Sequence, residues 1–130
     1  MKSWSGLTNE NMLKVHCMSM MIKDLTTENG DDKKYSAIKD SISDIEEAGI
    51  PEVKNIIQNI INLYDTDIKE NGLHHANDRV LKCLVYSIKL LSPFETDEEV
   101  LSFCLGYEMG KEFHKTVTKK ILDELLDGLI

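Results

Sequence analysis

Thr96-Asp97-Glu98-Glu99-Val100-Leu101, then Phe103-Cys104-Leu105-Gly106-Tyr107-Glu108-Met109-Gly110, then a lysine-rich run ending in Ile121-Leu122 and Leu125-Leu126, is the stretch that decides the fold class. Thr96 and Glu99 have the spacing of a capping box, in which the hydroxyl accepts from the N3 amide while the carboxylate reaches back. Gly128 follows the last apolar pair, where a helix commonly stops. No proline lies between these signals. The stretch therefore predicts one long helix, or two halves bent near Gly106 and Gly110. One side of it is too apolar to stand in water, so the preceding segments are expected to pack on it.

Working back towards the start, the short loop Ser92-Pro93-Phe94-Glu95 precedes this helix. Before the loop, Val80, Leu81, Leu84, Val85, Ile88 and Leu91 recur at helical spacing. Asn71-Gly72 is a stop signal for a third helix over residues 51–70, whose apolar side carries Val53, Ile56, Ile57, Ile60, Ile61, Tyr64 and Ile68. Isoleucine also suits strands, but these positions do not alternate, so the helical period decides. Pro51 stands at the tolerated first turn, after the Ala48-Gly49 end of a second helix. That second helix shows a narrow apolar stripe of Tyr35, Ile38, Ile42 and Ile45 against a charged opposite face. A polar connection around Asn29-Gly30 separates it from a first helix reaching Leu25, with Met12, Val15, Met18 or Ser19, and Ile22 on one face and Thr8 or Asn9 as cap. Residues 1–8 read as a polar lead-in. The expectation is an all-α single domain over residues 1–130, a bundle of about five helices with a long C-terminal helix, joined by short connections that make sequential helices antiparallel.

A chain of 130 residues fits one domain, and 42% apolar content with two prolines and seven glycines is ordinary for a folded one. No run approaches the ~18 apolar residues of a membrane span, and no apolar segment follows the N-terminus as a secretion signal would require. A cytoplasmic location is expected. Cys17, Cys83 and Cys104 include no Cys-x-x-Cys pair and sit in apolar helical stretches, so buried reduced thiols are expected. The net charge of −8, with Arg79 as the one arginine, argues against direct nucleic-acid binding, which rests on cationic side chains neutralising phosphates. It suits attraction to a basic protein surface.

Chemistry-bearing constellations are sparse. His16, His74, His75 and His114 with Glu108 and Glu112 supply ligand types for a metal, but Glu112 stands two residues before His114 and Glu70 four before His74 across a glycine turn. Neither pair chelates from one helical face, and His-Glu-x-x-His is absent. No metal or cofactor is expected. Glu108 and Glu112, one turn apart, resemble an acid–base pair in spacing only, because Lys111 and Lys115 beside them make a solvated charged face. There is no Gly-x-Ser-x-Gly elbow, and Leu84 stands five positions after Arg79, so the Arg-x4-His signature of helical RNA-cleaving domains is missing. Gly106-x-x-x-Gly110 reads as a close helix approach or a bend.

Two acidic clusters remain: Asp65, Asp67 and Glu70, and Glu95, Asp97, Glu98 and Glu99. The second suits the positive end of a helix, whereas acids near a helix C-terminus oppose the dipole, so the first reads as a solvated face or, among functional readings, as an acidic patch for a basic partner. The functional expectation is a non-catalytic acidic protein-binding module using these seven residues. Its concrete form is a small inhibitor of immunity-protein or antitoxin type that neutralises a basic toxin or nuclease. The competing expectations are a helical hydrolase or metal-dependent enzyme using Glu108, Glu112 and His114, and a structural or oligomeric subunit joined through the isoleucine stripe of the second helix.

Overall fold

The computed structural model describes residues 8–106. Five α-helices and one short 3-10 turn follow each other in the order α1 (Asn9–Thr27), α2 (Asp31–Ala48), the 3-10 turn (Pro51–Val53), α3 (Lys54–Asn71), α4 (Leu73–Leu91) and α5 (Asp97–Cys104). No strand occurs among the described residues, and the architecture is an all-α bundle.

Local signals set the helix ends. Thr8 caps α1, its hydroxyl accepting from the Asn11 amide at 3.1 Å. Gly49 stops α2 in the left-handed region, φ 65°, where a glycine carries no Cβ penalty. Pro51 opens a 3-10 turn rather than α3 itself, so the α-helical hydrogen bonding of α3 starts at Lys54. A single residue, Gly72, is both the end of α3 and the start of α4, so the two helices fold back as a tight hairpin.

α4 is the hub. It packs against α1, α2, α3 and α5, a role expected of the last helix. The physical reason is its wide apolar side: Ala76, Val80, Leu84, Val85 and Ile88 are all buried. They meet Val15, Met18, Met21 and Ile22 of α1, Ile38 and Ile42 of α2, Ile57, Ile60 and Tyr64 of α3, and Val100 and Phe103 of α5 in one core. Ile38, Ile42 and Ile45 face inward, so the stripe proposed as an oligomer seam is consumed within the chain.

The hydroxyl half of the Thr96–Glu99 capping box forms, the Glu99 amide donating to the Thr96 hydroxyl at 3.2 Å, while the Glu99 carboxylate accepts from that hydroxyl at 3.1 Å. α5 then runs only to Cys104, and Gly106 adopts φ 83°. Gly106 therefore terminates a helix instead of sitting inside one, and its amide donates back to the Phe103 carbonyl. Gly110, the long C-terminal continuation and the candidate residues Glu108, Glu112 and His114 lie outside the described residues. So does the lead-in with Trp4. Cys17 and Cys104 are buried, and burial pushes both thiols up to about 11. Cys83 is exposed, against expectation, because it sits on the outer side of α4 near Tyr86 and Leu90, which are also open to solvent.

Candidate functional site

The polar groups of the bundle gather at one end, where the last turn of α3 and the first turns of α2 and α4 meet. Asp67 is the organising residue. It lies on the same face of α3 as Ile57, Ile60 and Tyr64, at the helical spacing of that stripe, and its side chain is only 1% exposed. A buried carboxylate must be paired and hydrogen-bonded to persist as a charge. Asp67 is paired three times. His75 Nδ1 donates to its Oδ2 at 2.6 Å, Arg79 donates to Oδ1 at 3.2 Å, and Asn71 Nδ2 donates to Oδ1 at 2.8 Å. The His75 hydrogen bond above all, then those of Asn71 and Arg79, hold its carboxyl below the ordinary 3.8 against the opposing effect of burial.

His75 and Arg79 are one turn apart on α4, so both reach the same side of the helix. They differ from Asp67 in accessibility: 56% of the His75 side chain and 53% of the Arg79 side chain face solvent. Because an ionised carboxylate only accepts, the hydrogen bond to Asp67 keeps a proton on His75 Nδ1.

A second chain of hydrogen bonds runs beside the first. The Tyr64 hydroxyl donates to Asn77 Oδ1 at 2.5 Å inside the core, and Asn77 Nδ2 donates to the Asp31 carbonyl and carboxylate, each at 3.2 Å. Asp31 also receives His74 Nδ1 at 3.1 Å. Asn77 first, then His74, hold the Asp31 carboxyl below its usual range, while burial pushes the Tyr64 hydroxyl up. These bonds tie α2, α3 and α4 together. Among the described residues no buried side-chain polar atom is left without a partner.

The expected acidic sites fare differently. Asp65 and Glu70 are exposed on α3, but Asp67 is a correction: it is enclosed and neutralised, so it presents no charge to a partner. Glu95, Asp97 and Glu98 are exposed, with Asp97 bound to Lys89 of α4 at 2.5 Å and Glu99 engaged in the cap of α5. The metal candidates within the described residues do not converge. His74 and His75 take separate aspartates, and His16 is half-buried on α1, where burial lowers its pKa. No group of three or more His, Cys, Asp or Glu side chains among the described residues is placed to hold a metal ion. Likewise, none of the described helices is long and apolar enough to cross a membrane.

Two features escaped the sequence reading. One is the network itself, although a signal was present: Asp67 and Asn77 are polar residues standing in phase with apolar stripes, at 60, 64, 67 and at 77, 81, 84, 88. The other is a groove of about 540 Å³ at the corner between α2 and α3, floored by Ile45, Ile50, Val53 and Ile57 and edged by Glu46 and Lys54. Glu46 lines that groove, and Asp44, Glu47 and Glu52 are exposed and near it in sequence, with no lysine or arginine between residues 40 and 52; Asp40, also exposed, lies further back on α2. No protein-family model, no curated protein and no solved structure matches this chain.

Proposed function

We propose that the chain is a non-catalytic acidic module that binds a basic protein partner, and that its finer role is inhibition of that partner in the manner of an immunity protein or antitoxin. The observation that carries this reading is the α2–α3 corner, where Glu46 edges an apolar groove and the exposed carboxylates Asp44, Glu47 and Glu52 lie near it in sequence. Such a surface suits a lysine- or arginine-bearing amphipathic segment, with the apolar floor supplying burial and the rim supplying steering and register. The exposed residues Asp65, Glu70, Glu95, Asp97 and Glu98 add to the long-range field without belonging to the groove. The reading places the protein in the cytoplasm, where the three thiols stay reduced.

The direct test uses a lysine-rich amphipathic peptide titrated into isotopically labelled protein. Backbone shifts concentrated over residues 45–58, abolished by Asp44→Lys, Glu46→Lys and Glu47→Lys together, are the expected result. The association rate should fall as salt is added, because exposed charges are screened over about 10 Å at ~0.1 M ionic strength. Shifts centred elsewhere, or a triple variant that binds as before, would remove the groove from the reading. For the inhibitory role, the protein is co-expressed with whichever neighbouring gene product is toxic when expressed alone; cells that die at the same rate with and without it, or the absence of any such toxic neighbour, would refute inhibition.

A further inference from the structure

Three large apolar side chains stand out from the bundle: Tyr86 at 59% exposure, Leu90 at 64% and Leu105 at 41%. Leu90 edges a second groove, of about 360 Å³, that runs between α1 and α3 along the outer side of α4. Met18, Ile56, Leu63, Leu84 and Leu91 make its walls, and the exposed Cys83 lies at one end. The Lys14 ammonium at its edge is paired with Glu10 at 3.0 Å, and the Ser87 hydroxyl donates to the Cys83 carbonyl at 2.8 Å. No carboxylate is among the residues that form it. The groove therefore suits apolar area rather than charge, unlike the α2–α3 corner.

The chain itself carries a segment of that chemistry, and α5 ends close by. Cys104 contacts Ser19 of α1, the residue after Met18, and Gly106 then turns the chain at φ 83°. In the sequence that follows, Phe113, Val117, Ile121 and Leu125 recur every four residues, the spacing of one helical side. From Phe113 to Ile121 such a side is about 12 Å long, and the groove extends about 12 Å along α4 from Cys83 to Leu91. Residues 107–112 can span up to about 20 Å, twice the ~10 Å between packed helices, so the segment reaches the groove without strain.

We infer that residues 111–126 dock as a helix in the α1–α3–α4 groove of their own chain, with Phe113, Val117 and Ile121 facing Met18, Leu63 and Leu84 and with Leu90 covered. Lys111, Lys115 and Lys119 share the same four-residue spacing on the opposite side of that helix, so docking turns a row of ammonium groups to solvent. A protein of net charge −8 thereby gains a basic ridge, away from its apolar contact. The docking rests on the second groove alone and not on the function proposed above.

Cys83 is the reporter, because Cys17 and Cys104 are buried with their thiols pushed up to about 11 and carry little thiolate. The full chain is treated with a maleimide, and the rate at Cys83 is followed by mass spectrometry. In Phe113→Asp, Val117→Asp and Ile121→Asp combined, Cys83 should react at least roughly tenfold faster than in the unaltered protein, since docking leaves the thiol open only part of the time. Equal rates overturn the proposal. A second set of full-length variants places a thiol on either side of the segment. Under mild oxidation, Phe113→Cys, Val117→Cys or Ile121→Cys should form a disulfide with Cys83 within one chain, whereas Lys115→Cys should not, because a disulfide needs Cα atoms within about 7 Å. A bond that joins two chains makes a second copy the occupant and overturns docking within the chain. Linkage from Lys115→Cys as ready as from Val117→Cys also overturns it. If the triple aspartate variant fails to fold, the contrast between Val117→Cys and Lys115→Cys decides the matter alone.

Discussion

Asp67 carries an acid-lability that belongs to one side chain. Its carboxyl is held below 3.8 in the fold, chiefly by the His75 hydrogen bond, whereas in the unfolded chain it titrates at the ordinary value. A depressed carboxyl pKa contributes stability that is fully present above the unfolded value and disappears as pH falls through the folded one. Denaturant midpoints taken from about pH 6 down to about pH 2 should therefore show a decline that begins near the ordinary carboxylate range of ~4. Asp67→Asn, which keeps the shape but cannot titrate, should start from a lower midpoint and show a shallower decline. Equal slopes for the two proteins would mean that other carboxylates carry the acid limb. The same residue shows why part of the site escaped the sequence. A carboxylate in phase with an apolar stripe is visible in the letters, but whether it is solvated or enclosed depends on partners eight and twelve residues away, across a turn whose tightness only the fold reveals.

At the scale of elements, helix ends were the most legible part of this chain, and helix roles the least. Thr8, Gly49, Pro51, Gly72 and Thr96 each act at or next to the boundary their chemistry predicts, because capping and left-handed conformations are decided within a few residues. The absence of proline around Gly106 allows either one long helix or two halves bent near the glycines; the residue adopts φ 83° and closes α5. Its cost to replace is conformational as far as the described residues go, since a Cβ built there meets none of their atoms within 4 Å. Gly106→Ala should lower stability by about 1 kcal/mol through the strained backbone alone. Thr96→Ala at the opposite end of α5 should cost about 0.5–2 kcal/mol through the lost cap. Paired midpoints from urea titrations check both, and a Gly106→Ala protein as stable as the original would show that α5 continues past this point in solution.

For the whole molecule, the bundle class followed from periodicity, while the identity of its centre did not. The packing of α4 against four other helices is a property of how neighbours arrange themselves, and its apolar residues alone resemble those of α3 closely. The surface divides in a way composition could not show: an acidic corner with an apolar floor at the α2–α3 junction, and a paired, charge-balanced polar end where α3 meets α4. The two surfaces share α3, with its first turn at one and its last turn at the other. The single-residue joint at Gly72 also bears on the order in which the chain finds this arrangement. Two helices of 18 and 19 residues joined by one glycine close their mutual interface at almost no loop entropy, so this hairpin is the natural folding nucleus. α1 must instead reach α4 and α5 across most of the described chain, and its docking comes later on the pathway. Hydrogen exchange under native conditions should follow that hierarchy, with the amides of residues 57–67 and 76–88 surviving longest and those of α5 exchanging first. Slowest exchange in α1 would place the nucleus elsewhere and make the glycine joint a late convenience of the native state.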